Sequence, residues 1–126
     1  VAYRDQGNSS YGTAVVGTVD SSNNSISFGS ETVFETAQTN YISTTFDSNL
    51  NKVVISYIDA GDSDKGKSIV GTVSGTSISF GTAVQFEAGE TSLIFSSFEN
   101  LLLEQYLEPA LVSERLLHLT PLLQKK

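Results

Sequence analysis

The sequence predicts a mainly β protein made of two similar four-stranded units, followed by an α-helical tail. Three observations support this prediction: an internal repeat of about fifty residues, β-branched and aromatic runs bounded by turn residues, and an abrupt change to a Leu-rich composition after residue 99. Together they divide the chain into a two-repeat β domain at residues 1–99 and a helical tail at residues 100–126.

The repeat is visible as long stretches of matching sequence. VAYRDQGNSSYGTAVVGTV at 1–19 aligns with ISYIDAGDSDKGKSIVGTV at 55–73, an offset of 54 residues. SISFGSETVFE at 25–35 aligns with SISFGTAVQFE at 77–87, and NYISTTFD at 40–47 with SLIFSSFE at 92–99, both at an offset of 52. We therefore expect four pairs of equivalent residues: Tyr3 and Tyr57, Val15 and Ile69, Phe28 and Phe80, and Phe46 and Phe98.

One unit is predicted to form four short strands. They span residues 41–47, 52–58 and 67–73, and a fourth covers 77–80 and runs on past Gly81 to 84–87. Val, Ile, Thr and aromatic residues fill these runs, and Asp, Asn, Gly and Ser clusters bound them. The second and third strands are apolar on both faces, which predicts burial between two layers. Ile69 and Phe80 are the predicted core residues.

Four antiparallel strands repeated every forty to fifty residues are typical of a β-propeller blade. The β part begins with the second strand of one unit and ends with a first strand, so it amounts to two blades in permuted order. A β-sandwich of about eight strands is the alternative, but a sandwich does not require two matching halves. Two blades do not close a ring, since propellers have about 4–8 blades. We therefore expect either assembly of several chains or a longer parent repeat protein.

Residues 1–99 resemble tandem propeller-like repeats of uncharacterised bacterial and environmental proteins. The resemblance rests on AYRDQGNSSYGTAVVGTV and SGTSISFGTAVQFE. The spacing Asp-x-Gly-x-Ser, at Asp5 and again at Asp59, also resembles the Asp-box turn of sialidase-like propellers. The aromatic residue that ends that motif is missing here, so the resemblance implies no sialidase activity.

The tail, LLLEQYLEPALVSERLLHLTPLLQKK, has no Gly and is rich in good helix formers. We predict helices near 100–107 and 109–119, with Pro109 in a first-turn position. Apolar residues cover more than one face of these helices, so the tail should be buried in its own protein or in a partner.

The charge of the chain argues against two classes of partner. The formal net charge is −7, and such a surface repels nucleic-acid phosphates and anionic membranes. There is no Cys, so disulfides and thiolate metal sites are excluded. No cofactor-binding motif is present, and no Ser or Thr has an evident catalytic base beside it.

Two sets of polar residues are candidates for binding. Asp59, Asp62 and Asp64 lie in the acidic stretch DAGDSDKG and could supply oxygen ligands to Ca²⁺, although the spacing is not that of an EF-hand. A second set recurs in the loop between the second and third strands of each unit, and in a ring it would line one rim as repeated shallow carbohydrate sites. Its members are Asp5, Ser9, Tyr11, Asp59 and Ser63. The alternative for both sets is a turn role without a ligand.

These observations predict a non-enzymatic, propeller-type structural or binding module that forms homo-oligomers. One alternative is a lectin-like oligomer that binds carbohydrate. The other, from a different class, is a fragment of a larger propeller hydrolase whose catalytic residues lie in other blades.

Overall fold

The computed structural model describes residues 1–92 and 94–96, so the predicted helices and Phe98 lie outside the described residues. The described part is mainly β, as the sequence predicts. Nine strands and one short 3-10 turn (Ala60–Asp62) form it. The strands are β1 (Ala2–Asp5), β2 (Tyr11–Ala14), β3 (Gly17–Asp20), β4 (Ser25–Phe28), β5 (Thr32–Asp47), β6 (Lys52–Asp59), β7 (Lys65–Ser74), β8 (Ser77–Phe80) and β9 (Val84–Glu90).

Seven strands form one sheet in the order β1-β2-β5-β6-β7-β8, with β9 also paired to β7, and β3 and β4 form a separate hairpin. All pairings are antiparallel, as expected for strands joined by short turns. The large sheet curls into a half-barrel. In the part of the chain that the structure describes, no helix is long and apolar enough to cross a membrane.

The two units pair their strands in the same register. Tyr3 lies opposite Thr13 between β1 and β2, and Tyr57 lies opposite Lys67 between β6 and β7. The pairing of β2 with β5 matches that of β7 with β9, including the positions of both irregularities. The β3–β4 hairpin likewise matches the pairing of β7 with β8. The register of the paired residues therefore repeats between the two units. The strand arrangement differs, because the counterpart of β7 is divided into β2 and β3, with Val15 in the break, and the β3–β4 hairpin lies outside the large sheet.

Strand β5 joins the two units. Its first half pairs with β2 of the first unit, and its second half, from Thr39 to Asp47, pairs with β6 of the second. The register shifts between Asn40 and Ser43, where Tyr41 adopts a positive φ of 47°. This irregularity bends the strand, because an extra residue on one strand increases the local twist. The sequence predicted two separate strands here; a single bent strand makes one curled sheet of both units.

The predicted fourth strand is interrupted. Residues 77–80 form β8 and residues 84–90 form β9, and both pair with successive parts of β7. At the break the backbone N–H of Gly81 donates to the carbonyl of Val70, at 3.0 Å. The chain therefore stays against the same edge of β7 while it shifts register.

The core lies where the two units meet. Its buried residues come from β2, β5, β6 and β7 of the large sheet: Ala14, Phe34, Ile55, Tyr57 and Ile69. Burial of Ile69 is as predicted. Phe80 is only partly buried and packs against the margin of this cluster, so its predicted place is correct but its burial is incomplete. Five consecutive residues of β6, Ile55–Asp59, are buried, so this half of the strand is covered on both faces as expected. The same prediction is wrong for β7, where buried Ile69 is followed by exposed Val70, because only one face of this strand is turned to the core.

Candidate functional site

The repeated Asp-x-Gly-x-Ser spacing forms the same turn in both units. The Asp5 carboxylate accepts hydrogen bonds from the backbone N–H groups of Gly7 and Asn8, at 2.9 and 3.2 Å. The Asp59 carboxylate accepts one from the N–H of Gly61, at 2.9 Å. A short acidic side chain that binds the backbone two residues on is a common way to fix a turn. Both aspartates therefore have a local structural role.

The serines of the motif also serve the turn. Ser9 and Ser63 have positive φ angles of 54° and 56°. The left-handed region is sparsely populated by residues with a Cβ, and here it reverses the chain before β2 and β7. Tyr11 begins β2 and is partly exposed. Both turns adjoin the middle of β5, since the N–H of Thr39 donates to the Ser10 carbonyl at 3.2 Å and Gly61 lies beside Ala37.

The acidic stretch before β7 is an ion-pair cluster. The Lys67 ammonium lies 2.6 Å from the Asp59 carboxylate and 3.1 Å from that of Asp62, which also pairs with Lys65 at 2.8 Å. The hydrogen bond to Asp59 raises the pKa of Lys67, and the two lysines lower the pKa of Asp62. Asp59 is 3% exposed, so its charge is balanced mainly by Lys67.

This pairing bears on the candidate calcium ligands Asp59, Asp62 and Asp64. Two of the three carboxylates already face ammonium groups, which compete with a cation. Asp64 is a turn residue with a positive φ of 56°. Within residues 1–92 and 94–96, no group of three or more His, Asp or Glu side chains is arranged to hold a metal ion.

The best-defined cluster of side chains is the contact between the two units, which we call the inner joint: Phe34, Glu35, Tyr57 and Phe80. Phe34 belongs to β5, and Tyr57 and Phe80 come from β6 and β8 of the second unit. The rings of Phe34 and Tyr57 meet edge to face with centroids 5.2 Å apart, and Phe80 lies 5.8 Å from Phe34. The Tyr57 hydroxyl donates to the Glu35 carboxylate at 2.9 Å.

The inner joint combines an apolar contact with one charged hydrogen bond. Tyr57 is fully buried, and Phe34 is 8% exposed. Burial, reinforced by the hydrogen bond to Glu35, raises the pKa of Tyr57 well above its usual range. The hydroxyl therefore stays protonated and donates at neutral pH. Edge-to-face aromatic pairs add about 0.5–1.5 kcal/mol to the free energy of burying the rings.

A second feature is an apolar cleft of about 440 Å³ between the units. Its walls come from the start of β1, from residues 15–18, from the end of β5 and from β6 to β8. The side chains that line it are aliphatic, aromatic or Thr, and none is ionisable. Among the described residues, no side chain in the cleft is an acid or a base that could serve in catalysis.

Sequence reasoning singled out the turn residues and missed the inner joint. A signal for it was present: Phe-Glu occurs at residues 34–35 and again at 86–87, and the partner Tyr recurs at residues 3 and 57. That alignment identifies three equivalent pairs: Phe34 and Phe86, Glu35 and Glu87, and Tyr3 and Tyr57. Only the curl of the sheet shows that the Phe-Glu pair of one unit meets the Tyr of the next.

Comparison with known protein families, with curated proteins and with solved structures finds no match to this chain.

Proposed function

We propose that this chain is a non-enzymatic structural module that assembles with other copies of itself through the two open ends of its curled sheet. The observation that carries the proposal is a difference in burial between equivalent residues of the two units. One end of each unit is buried at the inner joint, whereas the corresponding outer ends are exposed in the described residues.

The outer ends carry large apolar side chains. In the first unit, Ile26 and Phe28 of the separate β3–β4 hairpin are exposed, and at the β9 edge of the second unit Val84 and Phe86 are exposed. Contiguous apolar residues on a protein surface commonly mark an interaction site. Their presence at both ends of a repeat favours contact between copies, because the ends that meet inside one chain are built from the same residue types.

Strand edges support the same proposal. Within residues 1–92 and 94–96, β1 has a single neighbour, β2, and β8 and β9 pair only with β7. Unpaired edges expose backbone N–H and C=O groups that readily accept another strand. A half-barrel with free edges on both sides is completed by another half-barrel, so a cyclic dimer is the simplest closed assembly.

Two chains supply four units, which is also the smallest number of blades in a propeller-type ring. We propose that two chains assemble into a closed ring of four such units. The apolar cleft would then lie inside the assembly, where its lack of ionisable side chains suits a core.

The test is the mass of the full chain in solution, measured by light scattering and sedimentation from submicromolar to high micromolar concentration. We expect a reversible oligomer of defined stoichiometry, with a dimer at twice the monomer mass of 13.5 kDa. Because each copy carries a net charge of −7, added salt should tighten the association by screening repulsion. A single 13.5 kDa species throughout, or an open-ended series of aggregates, would overturn the proposal.

A further inference from the structure

We infer that Tyr3 of one copy docks on Phe86 and Glu87 of a second copy, reproducing between chains the contact that Tyr57 makes with Phe34 and Glu35 within the chain. This inference rests on the proposed self-assembly and specifies its interface. We call this contact the outer joint.

Phe86 is already held in the position that Phe34 occupies in the inner joint. The Phe34 ring lies over Gly12, 2.5 Å from the place that a Cβ on this glycine would take, and Phe86 lies over Gly66 at 2.6 Å. A threonine flanks each ring at the corresponding place, Thr39 beside Phe34 and Thr91 beside Phe86. Both rings therefore lie against the glycine of the adjacent strand through the same ring atoms.

The two rings differ in what covers them. Phe34 is 8% exposed because Tyr57 and Phe80 of the next unit pack on it, whereas Phe86 is 55% exposed. Glu87 follows Phe86 as Glu35 follows Phe34, and each glutamate lies opposite the glycine under its neighbouring ring. The end of the second unit thus presents an aromatic ring and a glutamate at the strand positions that bind a tyrosine in the inner joint, and the Glu87 carboxylate also accepts a hydrogen bond from the N–H of Gly89 at 2.7 Å.

The complementary residues lie at the other end of the chain. Tyr3 has the strand register of Tyr57 and is partly exposed. Phe28 has the register of Phe80 and is 56% exposed, so both second-unit residues of the inner joint have an exposed counterpart. The sheet order places Tyr3, on β1, at one edge of the large sheet and Phe86, on β9, at the other, whereas Phe28 lies on the separate β3–β4 hairpin. In a cyclic dimer each chain therefore contributes both halves of an outer joint.

One difference concerns the tyrosine hydroxyl. Tyr3 donates to Glu31 of its own unit at 2.6 Å, which raises its pKa to about 12. The equivalent of Glu31 in the second unit is Ala83, so Tyr57 has no such local acceptor. In the outer joint the Tyr3 hydroxyl would lie between Glu31 of its own chain and Glu87 of the partner. The ring contact is therefore the principal anchor, and the hydrogen bond to Glu87 contributes less than its counterpart.

The experiment uses the absence of cysteine from the natural chain. Full-length Tyr3→Cys and Phe86→Cys chains are prepared separately, mixed, and treated with a short bis-maleimide cross-linker. A mixed dimer keeps one intact joint and brings the two thiols together at the other. We expect a covalent heterodimer, identified by isotopic labelling of one chain. Val19→Cys, an exposed residue of β3, replaces Phe86→Cys in the control mixture and should give at least tenfold less product.

A second measurement compares the dissociation constant of self-association between two lysine variants. Phe86→Lys puts a charged side chain in place of the exposed ring and should raise the dissociation constant about tenfold or more, as expected for an aromatic anchor. Leu50→Lys adds the same charge at an exposed turn between β5 and β6 and should leave the dissociation constant within about twofold.

The outcomes separate the two proposals. If the chain associates but the Tyr3–Phe86 cross-link does not form and Phe86→Lys has no specific effect, the outer joint is overturned and self-assembly still stands. A monomeric wild-type chain would overturn both.

Discussion

Removing the Tyr57 hydroxyl tests the inner joint most directly. Tyr57→Phe keeps the buried ring and its edge-to-face contact with Phe34, but it removes the 2.9 Å hydrogen bond to Glu35. Hydrogen bonds to charged groups contribute about 1.5–3 kcal/mol when their loss leaves a buried group unpaired. Glu35 is partly exposed, so water can replace the hydroxyl in part. We expect the free energy of unfolding to fall by about 1–2 kcal/mol.

Tyr57→Ala removes the ring as well. The side chain is fully buried at the centre of the core, so its loss leaves a cavity that the rigid strands fill poorly. Truncating a buried aromatic residue costs about 3–5 kcal/mol, and we expect a loss in that range. The difference between the two variants measures the contribution of the ring separately from that of the hydroxyl.

The repeat supplies the matched control. Tyr3→Phe removes a hydroxyl at the equivalent position, where the hydrogen bond to Glu31 is exposed. In the monomer this change should cost less than about 0.5 kcal/mol. Urea unfolding at a single low protein concentration, where association does not add to stability, is the appropriate assay. Equal losses for the two Tyr→Phe variants, or a loss below about 1 kcal/mol for Tyr57→Ala, would refute the assignment of Tyr57 to the core.

Three further comparisons test the same architecture. Phe80→Ala should destabilise the monomer by about 1–3 kcal/mol, since its ring is only partly buried, while Phe28→Ala at the equivalent exposed position should cost under about 0.5 kcal/mol in urea unfolding; equal values would contradict the unequal burial. Gly12→Ala should cost about 1–3 kcal/mol because its Cβ meets a ring confined by Tyr57, whereas Gly66→Ala should cost less than about 1 kcal/mol because the ring above it is free to turn; thermal melts of both variants distinguish the two cases. Stability should also fall at alkaline pH. Folding raises the pKa of both Tyr57 and Lys67. Their contribution to the free energy of unfolding is therefore complete below their unfolded-state pKa values near 10, and it is lost as the pH rises toward the folded-state pKa values. Urea unfolding between about pH 8 and pH 11 should show this decline, and Tyr57→Phe should make it shallower; an unchanged slope would contradict the role of the hydroxyl.

Local patterns in the sequence were sufficient for much of the fold. The runs of Val, Ile, Thr and Phe, punctuated by Asp, Gly and Asn, located the strands because strand propensity and turn chemistry act over a few residues. The matching stretches predicted the equivalence of Tyr3 and Tyr57, and the strand register confirms it. The sequence allowed two interpretations of Asp5 and Asp59, a turn role or a ligand-binding role. The hydrogen bonds to the backbone of the following residues show that the turn uses these carboxylates.

Long-range relations were decided by tertiary structure. The sequence did not reveal that residues 32–47 form one bent strand, because that depends on which partners lie on its two sides. Nor did it distinguish Phe34 from Phe86, which stand in the similar contexts VFE and QFE and yet are 8% and 55% exposed. A residue's burial depends on what packs against it from distant parts of the chain. The repeated sequence therefore determined two equivalent aromatic positions, and the curl of the sheet over a second unit decided that only one of them is buried.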